Sequence, residues 1–234
     1  GVYGGGDLSG KLEASLRRSA ELARFLRERK PKVSVSHSSP EAARVSFGLG
    51  IPHLCVNDSP HAEAVARLTL PLAERLFTPS FIPLKAWLRF GIGREKIVRY
   101  RALDPVVWLR DYPFNPDLPH RLGVNPRKDR LVTVRLEESQ ASYLLGVGEG
   151  GGSMGFRVIQ ELLKTVGGDV KILVVPRYRE QLKPLKERFG EGIILPRGFV
   201  DGPSLLRFTS VFVGGGGTMT AEASLMGVPA FSFY

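Results

Sequence analysis

Apolar residues along this chain recur at two alternating spacings, and the alternation predicts the fold. Leu12, Leu16, Ala20, Ala23 and Leu26 stand three or four apart, the period of a helix with one buried stripe, behind Asp7 or Ser9 as a cap. Lys30-Pro31 stops that helix, because proline has no N–H to extend the ladder. Residues 33–37 then alternate as a strand does, and a second helix starts at Pro40 and stops at Gly48-Leu49-Gly50. Residues 53–57 read as a strand, 63–70 as a helix, 75–78 as a strand, 84–90 as a helix and 97–100 as a strand. Strands separated by helices at this rhythm predict a parallel sheet with right-handed crossovers.

The texture changes at Tyr112. Pro113, Pro116, Pro119 and Pro126, interleaved with Asn115, Asp117 and Asn125, read as a linker. After it come strands at 131–136, 170–175, 192–195, 210–213 and 229–233, and helices at 154–166, 177–189, 203–208 and 218–226. The expectation is an α/β chain of two Rossmann-like halves, 1–112 and 128–234, joined by 113–127, with a ligand cleft between them at the strand C-termini. The chain opens without Met and ends on the strand-like Phe231-Ser232-Phe233-Tyr234, so both halves are expected to be truncated.

Composition narrows the class. At 234 residues with 43% hydrophobic and 24% charged residues, the chain has the balance of a globular protein. No apolar run is long enough for a membrane span, no signal-peptide pattern opens the chain, and Cys55 is its only cysteine; a reducing, cytoplasmic setting is expected. The net charge of +10 favours anionic partners, yet no block of five like charges occurs. Abundant Arg, 17 prolines and only three Asn and three Gln resemble the composition of thermophile proteins.

Three glycine-rich stretches compete as phosphate cradles. Gly5 to Lys11 has P-loop spacing but Leu12 where the magnesium-binding hydroxyl belongs, and it is read as a flexible entry. Gly146 to Gly151 matches the dinucleotide fingerprint, with Asp169 about twenty residues on, but lies ten residues after its strand and is read as a mobile loop. The third, Gly214-Gly215-Gly216-Gly217-Thr218-Met219, follows a strand directly and opens a helix. There, residues without side chains let backbone N–H groups approach a phosphate, and the helix N-terminus adds partial positive charge. Thr218 and Thr220 can cap that helix or touch a phosphate oxygen, and Glu222 can either accept from ribose hydroxyls or merely complement the helix dipole.

This last segment, with Gly227-Val228-Pro229-Ala230 after it, resembles the donor site of GT-B-type proteins such as UDP-N-acetylglucosamine 2-epimerase. With Ser36-His37-Ser38-Ser39-Pro40-Glu41-Ala42-Ala43-Arg44, Asn57-Asp58, His61-Ala62-Glu63-Ala64 and Pro176-Arg177-Tyr178, the chain resembles the archaeal domain-of-unknown-function family 354, a predicted glycosyltransferase group. The chain departs locally, with Ser38 where glycine is common in that family. The resemblance implies that Arg135 and Arg177 meet a diphosphate or base, Arg135 otherwise pairing with Glu137 or Glu138. It implies a nucleotide-sugar substrate, a UDP-sugar first, with no tightly bound cofactor.

His37 beside Glu41, and the group Asp58, His61 and Glu63, have the residue types of general acid–base chemistry, with capping roles as the alternative. No ligand spacing supports a metal. The helix at 84–90 mixes basic and bulky residues, so it either rests on a membrane bearing a lipid-linked acceptor or packs on its own sheet. The reading is a glycosyltransferase-like enzyme with an unknown acceptor, or a 2-epimerase. A basic nucleic-acid-binding module and an NADP-linked oxidoreductase stand behind these, no specific nucleic-acid motif being evident.

Overall fold

The computed structural model describes residues 7–137 and 153–233. Their contacts divide into two compact units, 7–102 in one and 103–137 with 153–233 in the other. The first unit runs α1 (Leu8–Arg29), β1 (Ser34–His37), α2 (Pro40–Gly48), β2 (His53–Val56), α3 (Glu63–Thr69), β3 (Arg75–Pro79), α4 (Lys85–Leu88) and β4 (Ile97–Tyr100). Its four strands are parallel in the order β1-β2-β3-β4. Cys55, Leu70, Leu76, Trp87 and Phe90 are part of its core, so Trp87 of α4 and Phe90 in the turn after it point inward while Leu88 is exposed.

Local chemistry explains the ends of α1. Asp7 Oδ1 accepts from the Gly10 N–H at 2.8 Å, and Lys30 closes the helix in the left-handed region at φ 47°. The buried face differs from the predicted stripe: Ala14 and Leu26 are buried, whereas Leu12 and Leu16 are exposed. Arg18 lies one turn beyond Ala14 and pairs with Glu41 of α2 at 2.6 Å, which fixes the side of α1 that meets α2. Strand β1 likewise keeps its predicted period but turns its serines inward and leaves Val35 exposed.

The reason is a polar cluster. His53, 1% exposed, takes Ser34 Oγ at Nδ1 (2.8 Å) and Ser36 Oγ at Nε2 (3.1 Å), and Ser34 in turn meets Ser46 Oγ at 2.7 Å. A buried imidazole needs partners on both nitrogens, and β1 supplies them.

The second unit runs α5 (Val106–Leu109), α6 (Leu118–Arg121), β5 (Arg130–Arg135), α7 (Met154–Thr165), β6 (Val170–Val175), α8 (Leu182–Phe189), α9 (Gly202–Leu206), β7 (Val211–Gly214), α10 (Thr218–Leu225) and β8 (Ala230–Ser232). The sheet is parallel in the order β6-β5-β7-β8. The strand expected at 192–195 is reduced to a bridge between Ile194 and Leu173, outside β6. The helix expected at 177–189 is a short 3-10 turn at Arg179–Gln181 followed by α8. Within the proline-rich stretch, Leu118 and Val124 are buried against Leu131, Leu173 and Leu205, part of this unit's core.

The order of this second sheet matters for function. The chain leaves β5 toward β6, then returns to the other side of β5 as β7, so the winding reverses between β5 and β7. Ligand crevices of open parallel sheets form at such a reversal, beyond the strand C-termini. Among the described strands of the first unit the order never reverses. No described helix is long and apolar enough to cross a membrane.

His53 gives a pH prediction. Burial holds its pKa below the ordinary 6.5, so the folded protein keeps it neutral while the unfolded chain takes up a proton. This contribution is constant above pH 6.5 and erodes as pH falls through 6.5 toward the lower folded pKa, at up to about 1.4 kcal/mol per pH unit. Urea unfolding between pH 7 and 5 should show that slope in the wild type and a shallower one in His53→Gln; equal slopes would exclude the assignment.

Candidate functional site

At the reversal point, β7 runs straight into the glycine run. A Cβ on Gly215 would lie 2.5 Å from Glu137 Cα and 3.0 Å from its backbone N, so only glycine lets the two chain segments approach this closely. Gly216 and Gly217 follow at φ 79° and 89°, a region that residues with a Cβ rarely adopt. Helix α10 then starts at Thr218 with no side-chain cap on its N-terminus. Thr220 Oγ1, one residue pair further on, is buried without a hydrogen-bond partner among the described residues.

These residues line a cavity of about 720 Å³. Gly216, Gly217, Thr218, Met219 and Glu222 line it, together with Arg135, Arg177 and Arg179. Arg135, the last residue of β5, donates through Nη1 to the carbonyls of Pro176 (2.6 Å) and Val175 (3.4 Å), both of which also line the cavity. The backbone N–H of Arg177 donates to Gln181 Oε1 at 2.7 Å. Tyr178, Pro196, Val200 and Phe199 supply an apolar side, and Phe199 is 97% exposed.

The other glycine-led helix is arranged differently. The Glu137 carboxylate sits at the N-terminus of α7, accepting from Ser153 Oγ at 2.5 Å and from the Gly155 N–H at 3.2 Å. A fixed anion there opposes a second one. The Gly146 to Gly151 loop itself lies outside the described residues, as do Glu138 and the first part of Gly5 to Lys11.

Glu222 is 8% exposed and sits on the first turns of α10. Its Oε1 accepts from Trp108 Nε1 at 2.8 Å. Burial pushes its pKa up, the Trp108 bond works against this, and the neighbouring Asp201 charge adds to the rise. Asp201 accepts from the hydroxyls of Tyr112 and Ser204, and the Asn115 N–H donates to Ser204 Oγ at 2.8 Å. The hydrogen bond to Asp201, with burial, pushes the Tyr112 phenol up to about 12.

In the first unit, His37 ends β1 with its Nε2 3.8 Å from Asp58 Oδ1, both side chains being exposed. Ser59 Oγ donates to the same Asp58 oxygen at 2.7 Å. Ser38 adopts φ 54°, in the left-handed region that favours glycine. Glu41 does not join His37. It binds Arg18 and Ser39, and although burial pushes its pKa up, Arg18, its own backbone and the Ser15 and Ser39 hydroxyls together hold it below the usual range. Glu63 pairs with Arg67 at 2.6 Å, and that bond lowers its pKa; His61 lies exposed just before α3.

Sequence reasoning missed Trp108, Tyr112, Asp201 and Phe199. Asp201 and Phe199 sit in an aperiodic loop, and Trp108 and Tyr112 border a stretch read as linker. The spacing of four between Trp108 and Tyr112, with Asp201 one residue before a Gly-Pro helix start, was the available signal.

The sequence matches the family described as "Protein of unknown function (DUF354)" over residues 2–234. It is 31% identical over 236 residues to the uncharacterized protein MJ0665 of Methanocaldococcus jannaschii, covering 98% of this chain and 65% of that protein. The S. aureus MnaA–UDP co-structure is similar in fold, with a TM-score of 0.72 at 14% identity over 97% of this chain and 64% of the other. So is M. jannaschii UDP-GlcNAc 2-epimerase in complex with UDP-GlcNAc and UDP, at 0.64 and 19%, over 92% and 64%. The chain thus spans just under two thirds of the length of these relatives, and it has the α/β, doubly parallel-sheeted architecture of GT-B-type proteins.

The Gly215 contact has a measurable consequence. Gly215→Ala forces a methyl group against the Glu137 backbone and should cost about 1–3 kcal/mol of stability, read as a lowered urea midpoint. An unchanged midpoint would mean that β5 and β7 diverge at this edge.

Proposed function

The chain belongs to the DUF354 family, and from that premise we propose that its second unit binds a nucleoside-diphosphate sugar, UDP-linked, which the protein transfers to an acceptor. The observation that carries this reading is the uncapped N-terminus of α10, opening from Gly216 and Gly217 onto a cavity that also holds Arg135, Arg177 and Arg179. Backbone N–H groups at a helix start and planar guanidinium groups are complementary to a diphosphate. Phe199 and Tyr178 offer faces for a base, and Glu222 offers a carboxylate for ribose hydroxyls. The UDP named for the structurally similar proteins supports uridine.

Transfer breaks the bond between the sugar's anomeric carbon and the diphosphate, leaving new charge on the departing phosphate. The α10 amides and the arginines would stabilise that charge where it develops. A base must take the acceptor's hydroxyl proton, and the His37–Asp58 pair of the first unit is the candidate, with His61 and Glu63 beside it in sequence.

A second reading, epimerisation at the sugar C2, is favoured by the fold shared with UDP-GlcNAc 2-epimerase and uses the same donor cavity. Incubating the intact protein with UDP-GlcNAc alone separates the two: epimer or free sugar formed without an acceptor selects epimerisation.

Donor binding itself is tested by calorimetry with UDP, GDP and ADP. UDP is expected to bind best, and Glu222→Gln to weaken it about tenfold, near 1.4 kcal/mol, with little change in stability. No binding of any of the three, or an unaltered affinity in Glu222→Gln with a lowered melting point, would overturn the donor-site reading.

A further inference from the structure

Two carboxylates, Glu222 in the cavity lining and Asp201 next to the lining residue Gly202, are each held by an aromatic side chain from one short segment. Trp108, on α5, donates its indole N–H to Glu222 Oε1 at 2.8 Å. Tyr112, four residues later, donates its hydroxyl to Asp201, which also accepts from Ser204. The Asn115 N–H completes the attachment at Ser204 Oγ. Residues 108–115 are therefore strapped onto α9 and α10 through the groups nearest the Glu222 carboxylate.

This strap constrains Glu222 in a specific way. An unheld glutamate on a helix samples several rotamers. Here one oxygen is taken by a single N–H donor, while the other, Oε2, lies on the side of Gly202, a cavity-lining residue whose added Cβ would stand 3.7 Å from it. A side chain at Gly202 would therefore come into van der Waals contact with Oε2. Tyr112 and Ser204 occupy both oxygens of Asp201, so that carboxylate is committed to the strap.

We propose that Trp108 is a positioning residue for ribose recognition: it fixes Glu222 with one oxygen bound and the other presented to the sugar hydroxyls of a nucleotide. The discrimination between ribose and a sugar lacking those hydroxyls is then set partly by a side chain that itself need not touch ligand. This rests on the reading of the cavity as a nucleotide site. It adds that the specificity is built partly from residues 108–115, which straddle the boundary that the sequence predicts between the first half and the linker.

Trp108 is also the reporter. The chain has two tryptophans; Trp87 is fully buried in the first unit, whereas Trp108 is 39% exposed beside Glu222. In the intact wild-type protein, UDP should shift tryptophan emission and 2′,3′-dideoxy-UDP should shift it far less. By calorimetry, Trp108→Phe should weaken UDP about fivefold or more, leave dideoxy-UDP within twofold, and add nothing in a Glu222→Ala background. Such a collapse of the preference, without loss of dideoxy-UDP binding, is not produced by general destabilisation.

The proposal is overturned if Trp108→Phe keeps the wild-type preference, weakens both ligands equally, or adds its full effect in Glu222→Ala. It is equally overturned, without any variant, if UDP and dideoxy-UDP perturb the emission alike. Absence of wild-type binding to both ligands would instead mark failure of the nucleotide reading, and the proposal would fall with it.

Discussion

The approach of two backbones at the C-terminal edge of β5 and β7 governs the second unit. Gly215 passes so close to Glu137 that a single methyl group would collide with main chain, not with a side chain able to move. The contact pins the end of β7 beside the end of β5, at the point where the sheet's winding reverses. From there Gly216 and Gly217 turn the chain at positive φ and deliver α10 with its first N–H groups at the cavity. A side chain at any of these positions would move the helix start or fill the space in front of it. Arg135 reaches the same edge because it ends the central strand β5.

Charge placement follows from this geometry. Glu137, brought to the reversal by the same contact, turns its carboxylate onto α7 and leaves the α10 N-terminus to the arginine-lined cavity. One helix start is satisfied internally and the other is offered to a ligand. Two further carboxylates, the buried Glu222 and the half-buried Asp201, lie near each other, an arrangement that is costly unless each accepts hydrogen bonds. Trp108, Tyr112 and Ser204 supply them, which ties residues 108–115 to the second unit.

Most of the fold could be read from the chain because its signals are local. The parallel strands at 97–100 and 170–175 stand where period and flanking residues put them, and the glycine run followed by a helix was legible as strand, turn and helix start. Faces were harder than periods. In β1 the serines turn inward because His53, nineteen residues after Ser34, needs two partners, and no pattern within the strand encodes that pairing. In α1 the Arg18–Glu41 pair chose the inner face over the leucine stripe. The α10 side of the candidate site was legible through glycine chemistry, and Ser38 at φ 54° fits the resemblance that expects glycine there. Trp108 and Tyr112 were not, because their meaning depends on Asp201 and Glu222, about ninety to a hundred and ten residues further on.

The central claim is that the α10 N-terminus and its arginines hold the diphosphate of a nucleotide. Hydrogen–deuterium exchange with and without UDP tests it most directly, since bound backbone amides are protected from exchange. The account predicts slowed exchange in peptides covering 214–220 and 176–179, with 153–160 at the start of α7 unchanged. Protection at 153–160 with none at 214–220 would contradict it.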